Sequence, residues 1–349
     1  MEKTSTKTAS DIRASLNHPV VDADGHWLEY TPLMNEQMRR IGGEKAAKGF
    51  QQQRALVHGL LAMSVAQRRD ERLAQQAFWA VPAKNVRDRA TAMLPRLMYE
   101  RLDELGIDFS VLYPTAGLKL HNLPDAKIRQ ATCRAYNTFT AEYFQNFSDR
   151  LTPAAIIPMY TPDEAIEEID YVTDQLDLKV IMMGSLMRRP IASLDSKPLS
   201  STLHNHWLDV VGLDSEYDYD PVWQRCTELG LSPTFHTHGC DFGLRLSPSN
   251  FVYNHVGHFA AANEAVCKAL FLGGVTRRFP KLKFAFLEGG VGWACQLLGD
   301  LVEHWEKRNL RALELVKPSN LDMDALIELA DEYGGEQLAR ALRKGRGTP

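Results

Sequence analysis

Six short runs rich in apolar residues, each followed by a stretch of helical character, constrain this chain more than any other feature. The runs lie at about 19–25, Phe109–Tyr113, Ala154–Pro158, Lys179–Met183, Pro233–His236 and Lys283–Glu288. Helical stretches follow at about 32–76, 125–146, from Pro162, 220–230, 259–272 and 291–310. Their starts are marked by turn and cap chemistry: Thr161 caps, Pro162 takes the first helical position and Glu164 stands three residues after the cap. Asp220 and Pro221 open the next helix, which Gly230 ends. Strands that alternate with helices pair in parallel, because only a long crossover returns the chain to the same sheet edge. Functional groups in such sheets collect at the carboxyl ends of the strands. Asp24, His26, His236 and Glu288 all fall there.

At 349 residues the chain suits one α/β barrel domain. Its net charge of −4, spread without long blocks of one sign, gives no reason to expect nucleic acid or a membrane surface as partner. The five cysteines are scattered with no Cys-x-x-Cys pair, as in a reduced, cytoplasmic protein. The first sixteen residues are polar and no apolar run approaches about eighteen residues, so neither a signal peptide nor a membrane span is expected. The stretch 184–218 reads as irregular.

The chemistry concentrates in Val20-Val21-Asp22-Ala23-Asp24-Gly25-His26-Trp27. In an extended strand Asp22, Asp24 and His26 share one face, and carboxylate beside imidazole suits a divalent transition metal. A polar strand end that starts a turn is the plainer alternative. His236 is a further candidate ligand, with His238 as a contact to substrate or to a ligand, against the plain role of a core histidine for each. His255 and His258 lie three apart at a helix start; His258 either reaches the cleft or packs on Phe259. Arg188 and Arg189 follow the fourth strand and suit a substrate carboxylate, or else are solvated surface charge. His204 and His206 have a ligand-like spacing in a polar, lid-like segment. Glu288 ends an apolar strand before two glycines, where it serves as acid or base, or caps the helix that follows.

Asp22–His26, Phe235–Gly239 and above all GGVTRRFPKLKFAFLEGGVGW (residues 273–293) resemble the amidohydrolase-related superfamily of metal-dependent enzymes. The nearest branch contains aminocarboxymuconate-semialdehyde decarboxylase and γ-resorcylate decarboxylase. The resemblance implies a distorted (β/α)₈ TIM barrel over residues 18–335, with a helical insertion after strand 1. A polar lead (1–17) and a polar tail (336–349) flank it. It further implies one divalent ion, zinc or manganese, held by Asp24 and His26 from the first strand and His236 from the fifth. Glu288 stands where many relatives carry a histidine acting as acid and base. Asp24 replaces a histidine of the hydrolytic relatives, and the aspartate that ends the family's eighth strand has no counterpart. The expectation is therefore of missing C-terminal strands, a longer natural chain, and an open sheet edge that favours a homo-oligomer, a dimer. The activity expected first is hydrolysis of a small carboxylated or aromatic substrate by activated water. Non-oxidative decarboxylation of a hydroxy-carboxylate is the alternative, and a degenerate, non-catalytic barrel the third reading.

Overall fold

The computed structural model describes residues 7–76, 84–191, 206–236 and 243–345. Parallel strands form where the sequence places them, although the later ones are shorter. β1 (Val21–Trp27), β2 (Phe109–Pro114) and β3 (Leu151–Pro153) make one parallel sheet. β4 (Ala155–Ile157), β5 (Ile181–Met183), β8 (Pro233–Phe235) and β9 (Ala285–Phe286) make a second, also parallel. The third expected strand is β4; β3 is a separate short strand just before it, and Ala154 joins the two sheets. Its amide donates to Leu112 of the first sheet (3.0 Å), while the Ala155 amide donates to Val180 beside the second (2.9 Å). Among the described residues no strand follows β9.

The helices bury apolar faces against these sheets. Helix Thr31–Ala62 breaks at Gly43, whose φ of 66° leaves the helical region, so the expected run 32–76 is several pieces. With helix Ala126–Phe144 it covers a core built on Trp27, Phe50, Tyr136 and Phe144. A second core around Ile157, Ile181, Trp223 and Phe235 underlies helices Pro162–Asp174, Asp220–Glu228 and His258–Leu272.

Several local expectations are corrected. Residues Ala9–Ala14 are helical, with a capping box between Thr8 and Asp11, and Arg13 pairs with Asp108. The segment after β5 is not wholly irregular: β6 (Met187–Pro190) and β7 (His206–Asp209) form an antiparallel pair. Thr161 does cap its helix, accepting from the Glu164 amide at 3.2 Å. Glu164 itself turns to Arg129, whose guanidinium donates to both carboxylate oxygens at 2.7 and 2.9 Å in a fully buried pair. A fork-on-fork contact of that kind is stronger than a return bond to a cap amide. Residues 336–344 of the expected polar tail belong to a helix, Gly335–Lys344.

The chain divides into two compact units, Met1–Gly290 and Val291–Pro349. The second is helical: Gly292–Arg308, Leu310–Glu314, Met323–Leu329, capped by Asp322, and Gly335–Lys344.

Candidate metal centre

The first strand is bent at the position that matters. β1 and β2 pair Asp22 with Ser110 and Gly25 with Leu112, so Ala23 and Asp24 together oppose Val111 alone. This is a β-bulge, which re-aims side chains beside it. Simple alternation puts Asp22, Asp24 and His26 on one face; the bulge removes Asp22 from the set. Asp22 instead accepts from the Ser110 hydroxyl and the Asp24 amide, both at 3.2 Å. Gly25 is required by close approach. A Cβ there lies 2.5 Å from Ser110 Oγ and 2.9 Å from the Val111 carbonyl oxygen.

Asp24, His26 and His236 come together across the sheets, with one donor atom from each lying within 4.8 Å of the others. The two Nε2 atoms of His26 and His236 are 3.0 Å apart. His26 Nδ1 lies 3.0 Å from the Pro114 carbonyl, which can only accept, so this nitrogen carries the proton and Nε2 offers its lone pair. Burial, then repulsion from His236, pushes His26 down to about 4, which keeps it neutral and ligand-ready near pH 7. Burial holds the Asp24 carboxyl above its ordinary value, opposed by attraction to His236.

Glu288 completes the cluster: its Oε2 lies 3.0 Å from His236 Nε2. Its backbone φ is +56°, a left-handed conformation unfavourable for a residue with a side chain. Val291, the N-cap residue of helix Gly292–Arg308, makes no side-chain cap hydrogen bond. Tyr113 of β2 and Phe259 wall the centre, at 6.1 and 5.1 Å from the His236 ring. Burial pushes the Tyr113 hydroxyl up to about 12.

The residues present suit a divalent ion. Two nitrogens bound to one tetrahedral ion lie about 3.3 Å apart, close to the 3.0 Å between the two imidazoles. Asp24 Oδ1 is buried with no hydrogen-bond partner among the described residues, as a carboxylate oxygen reserved for a cation is. The imidazoles suit zinc and the carboxylate suits manganese, so the mixed donors can take either.

His258 is the first residue of its helix, buried against Phe259 with ring centroids 3.9 Å apart and near His255 at 4.7 Å. Burial, then His255, pushes it down to about 3. Phe259, which packs on both His258 and His236, stands beside the cluster. Arg189 is not a free grip for a ligand. It is buried, with Nε on Asp209 at 3.0 Å, and it also donates to the Tyr160 carbonyl and the Tyr219 hydroxyl. Arg188 precedes it on β6 and so faces the other way. His238 and His204 lie outside the described residues, as does the side chain of His206.

Two contributors escaped the sequence reading. Glu29, just after β1, accepts from the amides of Thr115 (3.2 Å), Ala116 (2.7 Å) and Gly117 (2.9 Å) and from Tyr136 Oη (2.6 Å). It fixes the turn after Pro114, the carbonyl that orients His26. Asn263, fully buried on helix His258–Leu272, donates to the Leu287 carbonyl at 2.8 Å.

A carboxylate and two imidazoles at the carboxyl edge of a parallel α/β sheet, with a second carboxylate beside them, form a group able to hold a metal ion. The amidohydrolase family model matches residues 21–317, and the chain belongs to that family of enzymes. No curated protein sequence matches it. Among solved structures, an amidohydrolase of Mycobacterium avium subsp. paratuberculosis is similar at 18% identity and a TM-score of 0.52, with 84% of this chain and 79% of that one covered. A manganese-bound 5-carboxyvanillate decarboxylase of Novosphingobium aromaticivorans aligns at 14% identity and TM-score 0.50, covering 84% and 74%. A 2,6-dihydroxybenzoate decarboxylase aligns at 16% and 0.44, and the chain covers 76% of itself but only 66% of that protein.

Proposed function

We propose that this enzyme is a metal-dependent, non-oxidative decarboxylase of a small hydroxy-carboxylate. The observation that carries the reading is the pairing of a three-donor centre, Asp24, His26 and His236, with a separate carboxylate, Glu288, 3.0 Å from His236 Nε2. The solved relatives named as decarboxylases, one with manganese bound, support this over the hydrolysis expected first.

Asp24, His26 and His236 would hold a divalent ion, which would supply Lewis-acid polarisation of substrate oxygens. Glu288, as the acid, donates its proton to the unsaturated carbon that bears the carboxylate, and a π-electron pair of the hydroxyl-substituted double bond forms the new C–H bond. The bond to the carboxylate then breaks, its electron pair restores the double bond, and CO₂ leaves. Glu288 recovers a proton from water. Tyr113 and Phe259 keep the cluster dry on their side, which strengthens each charge interaction within it. His258 assists proton movement behind Phe259. Arg188 and His238 are assigned to the substrate carboxylate.

The proximity of Glu288 to the donor cluster also suits a base that deprotonates water, and hydrolysis is the second reading. Reaction in D₂O with manganese-loaded protein and a panel of hydroxybenzoates, lactones and amides separates the two. Decarboxylation releases CO₂ and leaves one deuterium on the vacated carbon. Turnover of a lactone or amide, with no CO₂ from any acid, overturns it. Glu288→Gln should lower turnover about 10²-fold or more with the fold kept.

A further inference from the structure

We infer that Asn263 is the positioning residue that aims Glu288, an inference that rests on the reading of the site just given. β9 ends at Phe286, so Leu287 lies just past the strand. The Leu287 amide still donates inward, to the Phe235 carbonyl at 3.0 Å. The carbonyl of the same residue takes Asn263 Nδ2 at 2.8 Å. A buried side-chain amide thus does for this carbonyl what a neighbouring strand does elsewhere.

The bond falls at the point where the backbone turns. The next residue is Glu288 at φ +56°, followed by Gly289 and then Gly290 at φ +66°. A residue with a side chain persists in that region only when its surroundings fix it. Fixing the peptide between Leu287 and Glu288 sets the direction in which the Glu288 side chain leaves the backbone. The Glu288 carboxylate reaches His236 Nε2 at 3.0 Å. The contact itself settles which end of the amide is which, since Asn263 Oδ1 in that place would oppose a carbonyl oxygen. Asn263 is fully buried on helix His258–Leu272, whose apolar face packs through Val266 and Leu270, so its reach is fixed by the core.

Asn263 therefore acts on the centre only through Glu288, and a double-mutant cycle tests this. Mn(II) affinity is measured by electron paramagnetic resonance titration for wild type, Asn263→Ala, Glu288→Gln and the double variant. Val266→Ala, a cavity in the same helix away from the centre, controls for loss of packing. Asn263→Ala should weaken Mn(II) binding about 10-fold or more, the usual effect of losing a residue that supports a metal site. Val266→Ala should leave affinity within about 2-fold. In the Glu288→Gln background, Asn263→Ala should add less than about 2-fold. Equal losses in both backgrounds, or Asn263→Ala matching Val266→Ala, overturn the inference while leaving the metal centre intact. Wild-type protein that binds no Mn(II) overturns the reading of the site and this inference with it. Should Asn263→Ala fail to fold, Asn263→Ser, which retains a shorter polar side chain, replaces it under the same criteria.

Discussion

Replacing Glu29 by Gln tests how the first strand holds its ligand. The wild-type carboxylate receives four donors: Oε2 takes the Thr115 and Ala116 amides, while Oε1 takes the Gly117 amide and the Tyr136 hydroxyl. Glutamine has one acceptor oxygen. Its least costly placement puts the new NH₂ toward Gly117 and Tyr136, because the hydroxyl can turn and accept. One buried amide N–H, that of Gly117, then has no acceptor, at about 1–3 kcal/mol. The bonds that remain lose their charge, roughly another 1 kcal/mol. The variant should be destabilised by about 2–4 kcal/mol in urea melts at pH 7 in the presence of a chelator. The Gly117 amide should also exchange with solvent about 30-fold faster or more. A loss below about 0.5 kcal/mol with unchanged exchange would refute the claim that Glu29 clamps the turn whose Pro114 carbonyl orients His26.

Two further predictions concern packing and protons. Gly25→Ala places a methyl 2.9 Å from the Val111 carbonyl oxygen, a backbone atom that cannot swing aside. It should cost about 1–3 kcal/mol and weaken Mn(II) binding, and a neutral effect on both denies the close approach at the bulge. His121 is buried; burial, then Arg129 and Lys119, pushes it from 6.5 down to about 4. The unfolded chain binds this proton below about pH 6.5 and the folded chain only near 4, so stability is present above 6.5 and falls as pH drops toward 4. The loss approaches about 3 kcal/mol, and urea melts from pH 7 to 4 should show it reduced in His121→Gln; an identical pH slope in the variant contradicts the assignment.

The sheet and its functional edge were legible in the sequence because their signals are local. Apolar runs such as Phe109–Tyr113 and caps such as Thr161 depend on neighbours a few residues away, and β2 and helix Pro162–Asp174 stand where those signals put them. Asp24, His26 and His236 were legible for the same reason, each being a ligand type at a strand end. What escaped depends on distant partners. No local pattern says that Ala23 and Asp24 bulge against Val111 and so exclude Asp22. Glu164 has the spacing of a capping box, yet Arg129 on another helix takes its carboxylate. Arg189 reads as a surface charge until Asp209, twenty residues on, is brought beside it. Glu29 and Asn263 carry no motif at all; only their buried contacts with 115–117 and Leu287 reveal them.

The central claim is that Asp24, His26 and His236 hold one divalent ion, and metal content tests it most directly. Wild-type protein, His26→Ala and His236→Ala are each loaded with Mn(II), desalted and assayed by elemental analysis, with circular dichroism confirming the fold. The account expects about one ion per chain in wild type and a small fraction of that in both variants. Near-stoichiometric metal in both folded variants, or none in wild type, would contradict it.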